Sequence, residues 1–197
     1  MIVVTPKRYN KNMLLKFISE NQAWIHGQLA KIKLKKDFLE SDTAIRILGK
    51  LYQKLITVDP LKPSQIQLHK EQIELITPEE SVTKLKKLTE RFLKQTAEQY
   101  LLPRISQLAK KMDTTYKAVK LGEHSSQWGS CTHDGRLSFN WRLIHAPREV
   151  IDYVIVHELA HRTHHNHSAA FWQLVEKFDP NYKQNRRWLK KFGLSVG

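Results

Sequence analysis

The pentapeptide HELAH at residues 157–161 combines the residue types and the spacing of a hydrolytic metal site. His157 and His161 are four residues apart, so on a helix both imidazoles lie on one face and could hold one divalent ion. Glu158 follows the first histidine, which turns its carboxylate toward the space beside the ion. There it could accept a proton from a water molecule, the role of the glutamate in H-E-x-x-H hydrolases. The motif predicts a hydrolase with one divalent ion, for which zinc is the first candidate.

A catalytic zinc needs a third protein ligand, and the sequence offers more than one. We predict His167, because the turn-like NHS at 166–168 ends in a serine that can cap the next helix, so the chain can swing back toward the ion. Two alternatives remain. Glu176 would supply a carboxylate from the following helix, and His164 would serve if the motif helix continued. His165 is expected to point elsewhere, and the pair 164–165 to lie at the rim of the cleft.

The three histidines also have the spacing of metzincins, H-E-x-x-H-x-x-x-x-x-H, but two features exclude that class. His164 replaces the glycine of the metzincin motif. A downstream methionine turn is impossible, because the methionines of the chain are Met1, Met13 and Met112.

The elements that must position this site follow from local patterns. Pro147 suits a first helical turn, and the strongly apolar run EVIDYVIVHELAH continues without glycine or proline, which predicts a buried helix. The preceding region contains YKAVKL at 116–121 and SSQWGSCTHDGRLSFNW at 125–141, in which apolar and polar residues alternate after the turn signal Asp134-Gly135. It predicts two or three antiparallel strands beside the motif helix.

Upstream, helical and strand patterns succeed each other. Apolar spacing predicts a helix over about residues 12–33 and short strands over 44–76 that form an antiparallel meander. A long helix should follow Pro78, with Pro103 kinking or dividing it. The expected fold class is therefore α+β. We expect an N-terminal helix and β-meander lobe at residues 1–80 and a core at 81–197, together forming one compact unit.

Composition limits the possible classes of protein. The chain has 197 residues, 41% hydrophobic and 26% charged, so it can bury a sizeable core. Its 33 Lys and Arg against 19 Asp and Glu give +14, a surface that would attract nucleic acid or nucleotides, although basic proteins without such partners are common. Cys131 is the only cysteine, which excludes an internal disulfide. With no apolar stretch of signal-peptide or membrane-span length, we expect a soluble, cytoplasmic protein.

Several linked motifs together resemble one known family. They are QWGSC at 127–131, RLSFNWRL at 136–143, APREVIDYVIVHELAH at 146–161, NHSAAFW at 166–172 and DPNY at 179–182. In this order they are similar to the YgjP-like metallopeptidases, which are related more distantly to the SprT and WLM zincins. The resemblance implies a zincin-like α+β core with a small sheet on the motif helix, a metal on His157, His161 and His167, Glu158 as general base, and the WGSC strand near the active site. Gln127 departs from the family pattern, where a basic residue is common.

Two further features have alternative roles. The segment Trp128-Gly129-Ser130 could be an edge strand that pairs with an extended peptide, or Trp128 could be core and Gly129 a bulge. Tyr182 or an arginine could stabilise an oxyanion, although a packing role suits Tyr182 better.

Three functions are compatible with these residues. The first is a zinc-dependent peptidase acting on peptide or protein substrates. The second is a metal-dependent nucleotide or phosphoester hydrolase, suggested by the basic charge. The third is a nucleic-acid-associated protease or binding module, which would use the basic long helix and the tail NYKQNRRWLKK at 181–191.

Overall fold

Helices and strands occur together in the computed structural model, which describes residues 8–39, 41, 43–124 and 127–192. These residues form an α+β structure of six α-helices, one 3-10 helix and two small mixed sheets. The chain falls into two compact units, Met1–Asp37 and Phe38–Gly197. The elements are α1 (Lys11–Glu20), α2 (Gln22–Leu39), β1 (Ala44–Ile47), β2 (Lys50–Val58), β3 (Gln65–Leu68), β4 (Gln72–Thr77), α3 (Val82–Lys111), β5 (Ala118–Gly122), β6 (Gly129–Cys131), β7 (Arg136–Asn140), the 3-10 helix (Trp141–His145), α4 (Arg148–Ala160), α5 (Ala169–Phe178) and α6 (Tyr182–Phe192).

The N-terminal helical segment is interrupted once. The sequence predicts one helix, and the structure has α1 and α2 separated at Asn21. The Asn21 side chain donates a hydrogen bond from Nδ2 to the carbonyl of Phe17, 2.8 Å away. Asparagine side chains that bond to nearby backbone compete with regular helix hydrogen bonding, which explains a break at this position.

The first sheet is mixed, so the predicted antiparallel meander is wrong. Its strand order is β1-β2-β4-β3, and β2 and β4 run parallel. The four strands themselves occur where the sequence predicts them. Ile73 and Leu75 of β4 are completely or almost completely buried, whereas half of the residues of β3 are exposed. Strand β4, the more buried of the two, takes the inner position, and the residues between β2 and β3 carry the chain past it.

The second sheet is also mixed, with order β5-β7-β6, and not the predicted antiparallel one. The β6–β7 hairpin is antiparallel and turns through Gly135, whose φ of 87° is in the left-handed region that favours glycine. Strand β7 lies between β5 and β6, and its pairing with β5 is parallel. Ser125 and Ser126, at the start of the predicted hairpin region, lie outside the described residues.

Helix α3 continues through Pro103 as a single helix and is not divided there. Ser81 caps its N-terminus, accepting a hydrogen bond from the backbone N–H of Lys84. The basic side chains are partly neutralised, since Lys84 pairs with Glu79, and Lys94 with Glu90 at 2.6 Å. No helix in the described part of the chain has the length and apolar character needed to cross a bilayer.

Helix α4 occupies the core and packs against α3, α5, α6 and β6. As the sequence predicts, its apolar residues are buried, and Pro147 immediately precedes its first turn. Arg104 of α3 holds Asp152 of α4 through two hydrogen bonds of 2.7 and 2.6 Å. The 3-10 helix before α4 is tied to the first sheet, because the Leu48 N–H donates to the Ile144 carbonyl at 2.6 Å. The start of α4 is therefore fixed from two sides.

Candidate metal centre

The two motif histidines lie together at the C-terminal end of α4. His157 is buried and His161 is half-buried, with ring centroids 5.1 Å apart. His161 is the C-terminal cap of the helix and keeps right-handed helical backbone angles, φ −65° and ψ −14°. The one-face geometry of positions i and i+4 therefore holds for this pair.

His167 joins them from the connection between α4 and α5. Its Nε2 atom lies 3.0 Å from Nε2 of His157, and its ring centroid lies 4.9 Å from that of His161. Ser168 next to it caps α5, accepting a hydrogen bond from the Phe171 N–H. One ring nitrogen from each histidine falls within 4.8 Å of the others. Three imidazoles so arranged suit zinc and other transition-metal ions.

The other candidate ligands lie elsewhere. Glu176 is exposed, and its carboxylate is 3.9 Å from Nζ of Lys183. His164 contributes its backbone carbonyl, which lies 3.0 Å from Nδ1 of His161. His165 stacks on His133 of the β6–β7 turn, with centroids 4.5 Å apart, and lines a pocket together with His161 and His167. Among the described residues, the group that could hold an ion consists of the three histidines alone.

The surroundings favour neutral, ligand-ready imidazoles. Burial lowers the pKa of His161 below its ordinary value of 6.5. Burial also lowers the pKa of His167, and the positive charge of Arg186 adds to this effect. Because a carbonyl can only accept, Nδ1 of His161 is the donor to His164, which leaves the lone pair of a neutral ring on Nε2.

Glu158 has an unusual environment for a carboxylate. It is 1% exposed, and its Oε1 atom is buried with no hydrogen-bond partner in the described part of the chain. Burial raises its pKa to about 8. It lines a pocket of about 250 Å³ with Ser130, Cys131, His161, His165 and His167. A buried carboxyl with one unpaired oxygen beside a pocket is a candidate for proton transfer.

The WGSC segment forms the facing wall. Trp128 is core, 2% exposed, while Gly129 pairs regularly with Phe139 and is not a bulge. The glutamate side chain packs directly on Gly129, a contact that our sequence reasoning missed. The signal was available, because a glycine inside a strand often marks a close approach. Asn140, at the end of β7, donates to the His124 carbonyl at 2.9 Å and caps the 3-10 helix.

Arg162, just after the motif, fastens the end of α4 to two loops. Its Nε and Nη1 atoms donate to the carbonyls of Thr115 and His133, both at 3.1 Å. Gly135 lies so close that a Cβ there would be 2.8 Å from Cζ of the guanidinium. The helix end and the hairpin turn are thus joined beside the pocket.

Comparison with known proteins bears on this arrangement. A family model described as "YgjP-like, metallopeptidase domain" matches residues 1–192. The chain belongs to this family. Membership supports a metal-dependent peptidase that acts on peptide or protein substrates. No curated protein matches the chain. Among solved structures, the metallopeptidase zymogen of Pyrococcus abyssi abylysin is similar at 19% identity and a TM-score of 0.45, covering 49% of this chain and 99% of that one.

Proposed function

We propose that the chain is a zinc-dependent peptidase with a zincin-like core, in which His157, His161 and His167 hold the ion and Glu158 is the general base. The observation that carries this proposal is the buried, unpartnered Oε1 of Glu158 in the same pocket as His161 and His167. Leaving a polar group buried without a partner destabilises a fold, so its presence here favours a functional role.

The ion and the glutamate have separate tasks. A zinc ion on three imidazoles would leave a fourth position for water, lower the pKa of that water and polarise the substrate carbonyl. Glu158 would accept the proton of the attacking water and deliver it to the leaving amine. The His161 Nδ1 bond to the His164 carbonyl keeps one ligand ring in the correct orientation.

Strand β6 is the proposed binding edge for the substrate. Of the described strands only β7 pairs with it, and an extended peptide could pair with its other edge. Ser130 and Cys131 of this strand line the pocket, which would bring a bound peptide next to Glu158. Backbone pairing of this kind selects for extended chain rather than for one particular sequence.

Two variants test the assignment. Glu158→Gln should retain zinc and lose peptide hydrolysis by about 100- to 10,000-fold, the usual contribution of a general base. His161→Ala should lose the zinc as well. Hydrolysis would be followed with a peptide library, and phosphate release from nucleoside triphosphates would be measured in parallel. Full peptidase activity in Glu158→Gln would refute the mechanism, and phosphate release without peptide cleavage would refute the substrate class.

A further inference from the structure

The three histidines are held in place by different contacts. His157 lies within the buried part of α4, and His161 donates from Nδ1 to the His164 carbonyl. His167 lies in an exposed connection. Within the described residues, its side chain approaches one hydrogen-bonding atom, Nε2 of His157, which belongs to the same group of candidate ligands. Among the described residues, ring packing is therefore the contact that can set the plane of this imidazole.

Aromatic rings surround His167 on the side of α5. The indole of Trp172 stacks on it, with ring centroids 5.6 Å apart and planes 22° from parallel. Phe171 meets it edge-on at 4.8 Å and 82°. Stacked and edge-to-face contacts at these distances are attractive and directional, so they restrict rotation of the imidazole.

Trp172 is itself supported from α6. Tyr182, 8% exposed, stacks on the indole at 5.4 Å and 19°. The Arg186 guanidinium lies 5.0 Å from the same indole. His167, Trp172 and Tyr182 thus form a column of three nearly parallel rings that runs from the proposed ion position to α6.

We propose that Trp172 is a positioning residue that orients the His167 imidazole toward the metal, with Tyr182 holding Trp172 in place. Metal-bound histidines are commonly oriented by a hydrogen bond at their second ring nitrogen. Here stacking performs this task for the third ligand. The inference rests on the proposed metal centre and requires no particular substrate.

The test is metal affinity, measured by competition with a chromophoric chelator in the full chain. Trp172→Leu keeps an apolar side chain and removes the ring, so zinc affinity should fall by about 10- to 100-fold, as when an outer partner of a ligand is removed. Trp172→Phe keeps a ring and should recover most of the affinity. The visible absorption of bound Co²⁺ should change for the leucine variant and return toward the wild-type spectrum for the phenylalanine variant. Tyr182→Leu should give a smaller loss.

Phe178→Leu is the matched control, since Phe178 is a half-buried aromatic on the same helix that packs on the core. It should lower stability in urea without changing zinc affinity or the Co²⁺ spectrum. Wild-type zinc affinity and spectrum in both Trp172→Leu and Tyr182→Leu would overturn the proposal, and so would an equal loss in Phe178→Leu. Should the wild-type chain bind zinc without cleaving peptides, the proposed function fails while the affinity series still decides this inference.

Discussion

The backbone of Gly129 touches the side chain of Glu158 so closely that no other residue fits without movement. A β-carbon at position 129 would lie 2.8 Å from both Cγ and Oε1 of the glutamate and 3.0 Å from Cδ. Real Cβ atoms essentially never come within 3.0 Å of such neighbours. Strand β6 therefore limits where the carboxyl group of Glu158 can lie.

Gly129→Ala should displace this carboxyl group and leave the three histidines in place. We expect peptide hydrolysis to fall by about 100-fold, the order of loss that a misplacement near 1 Å can cause, with zinc content unchanged. Gly122→Ala is the matched control in the same sheet, because a Cβ there meets its nearest atom at an ordinary 3.5 Å. Equal activity of the two variants would contradict the positioning role of Gly129.

Burial of Glu158 predicts a pH-dependent stability of the metal-free chain. Its pKa rises from 4.5 to about 8 on folding, so between these values the folded state keeps a proton that the unfolded state has released. The free energy of unfolding should thus decrease as pH rises through this window, by at most about 1.4 kcal/mol per pH unit. Urea unfolding in a chelator at several pH values would measure it. Glu158→Gln should remove this part of the pH dependence. If the free energy of unfolding varied with pH in the same way in both proteins, the prediction would be contradicted.

The choice of third ligand can be tested within one short segment. His167→Ala should weaken zinc binding by more than about 100-fold, since losing a ligand lowers zinc affinity more than losing an outer residue that orients that ligand. His164→Ala keeps the carbonyl that holds His161 and should bind zinc normally. Glu176→Gln should do the same. Zinc content would be measured by atomic absorption. Zinc retained by His167→Ala, or lost from His164→Ala or Glu176→Gln, would indicate a different set of ligands.

The link between α3 and α4 should contribute measurably to stability. The Arg104 and Asp152 side chains are 30% and 25% exposed and form two hydrogen bonds, so solvent screens them only in part. Asp152→Asn should lower the free energy of unfolding by about 1–2 kcal/mol. The exposed Lys183–Glu176 pair at 3.9 Å is the internal comparison, and Lys183→Gln should have little effect. A double-mutant cycle with Arg104→Met would show whether the loss belongs to the pair.

Local features of the fold could be predicted from the sequence, and its topology could not. The helix N-termini lie at Ser81, Pro147 and Ser168, and the β6–β7 hairpin turns at Gly135. These features could be predicted because each depends only on residues a few positions away. The order of strands depends instead on which apolar faces are buried together. Periodicity within a strand contains no such information, so both sheets were expected to be antiparallel.

The candidate site shows the same division. The group formed by His157, His161 and His167 follows from helical spacing and a short turn. The contacts of Glu158 with Gly129, and of the third histidine with Trp172, join elements that are distant in the chain or face each other only after folding. Residue types and spacing were sufficient to propose the reacting groups, whereas the residues that contact those groups required the three-dimensional arrangement.

The two hydrogen bonds of Arg162 affect how far the pocket beside α4 can widen to admit a protein. Because one guanidinium bonds to the carbonyls of Thr115 and His133, widening the cleft by moving the hairpin away from α4 would break at least one of these hydrogen bonds. We therefore expect the hairpin and α4 to resist being moved apart. Adaptation would have to come from the polypeptide being cut, so unfolded segments and long flexible loops should be cleaved while compact domains are spared.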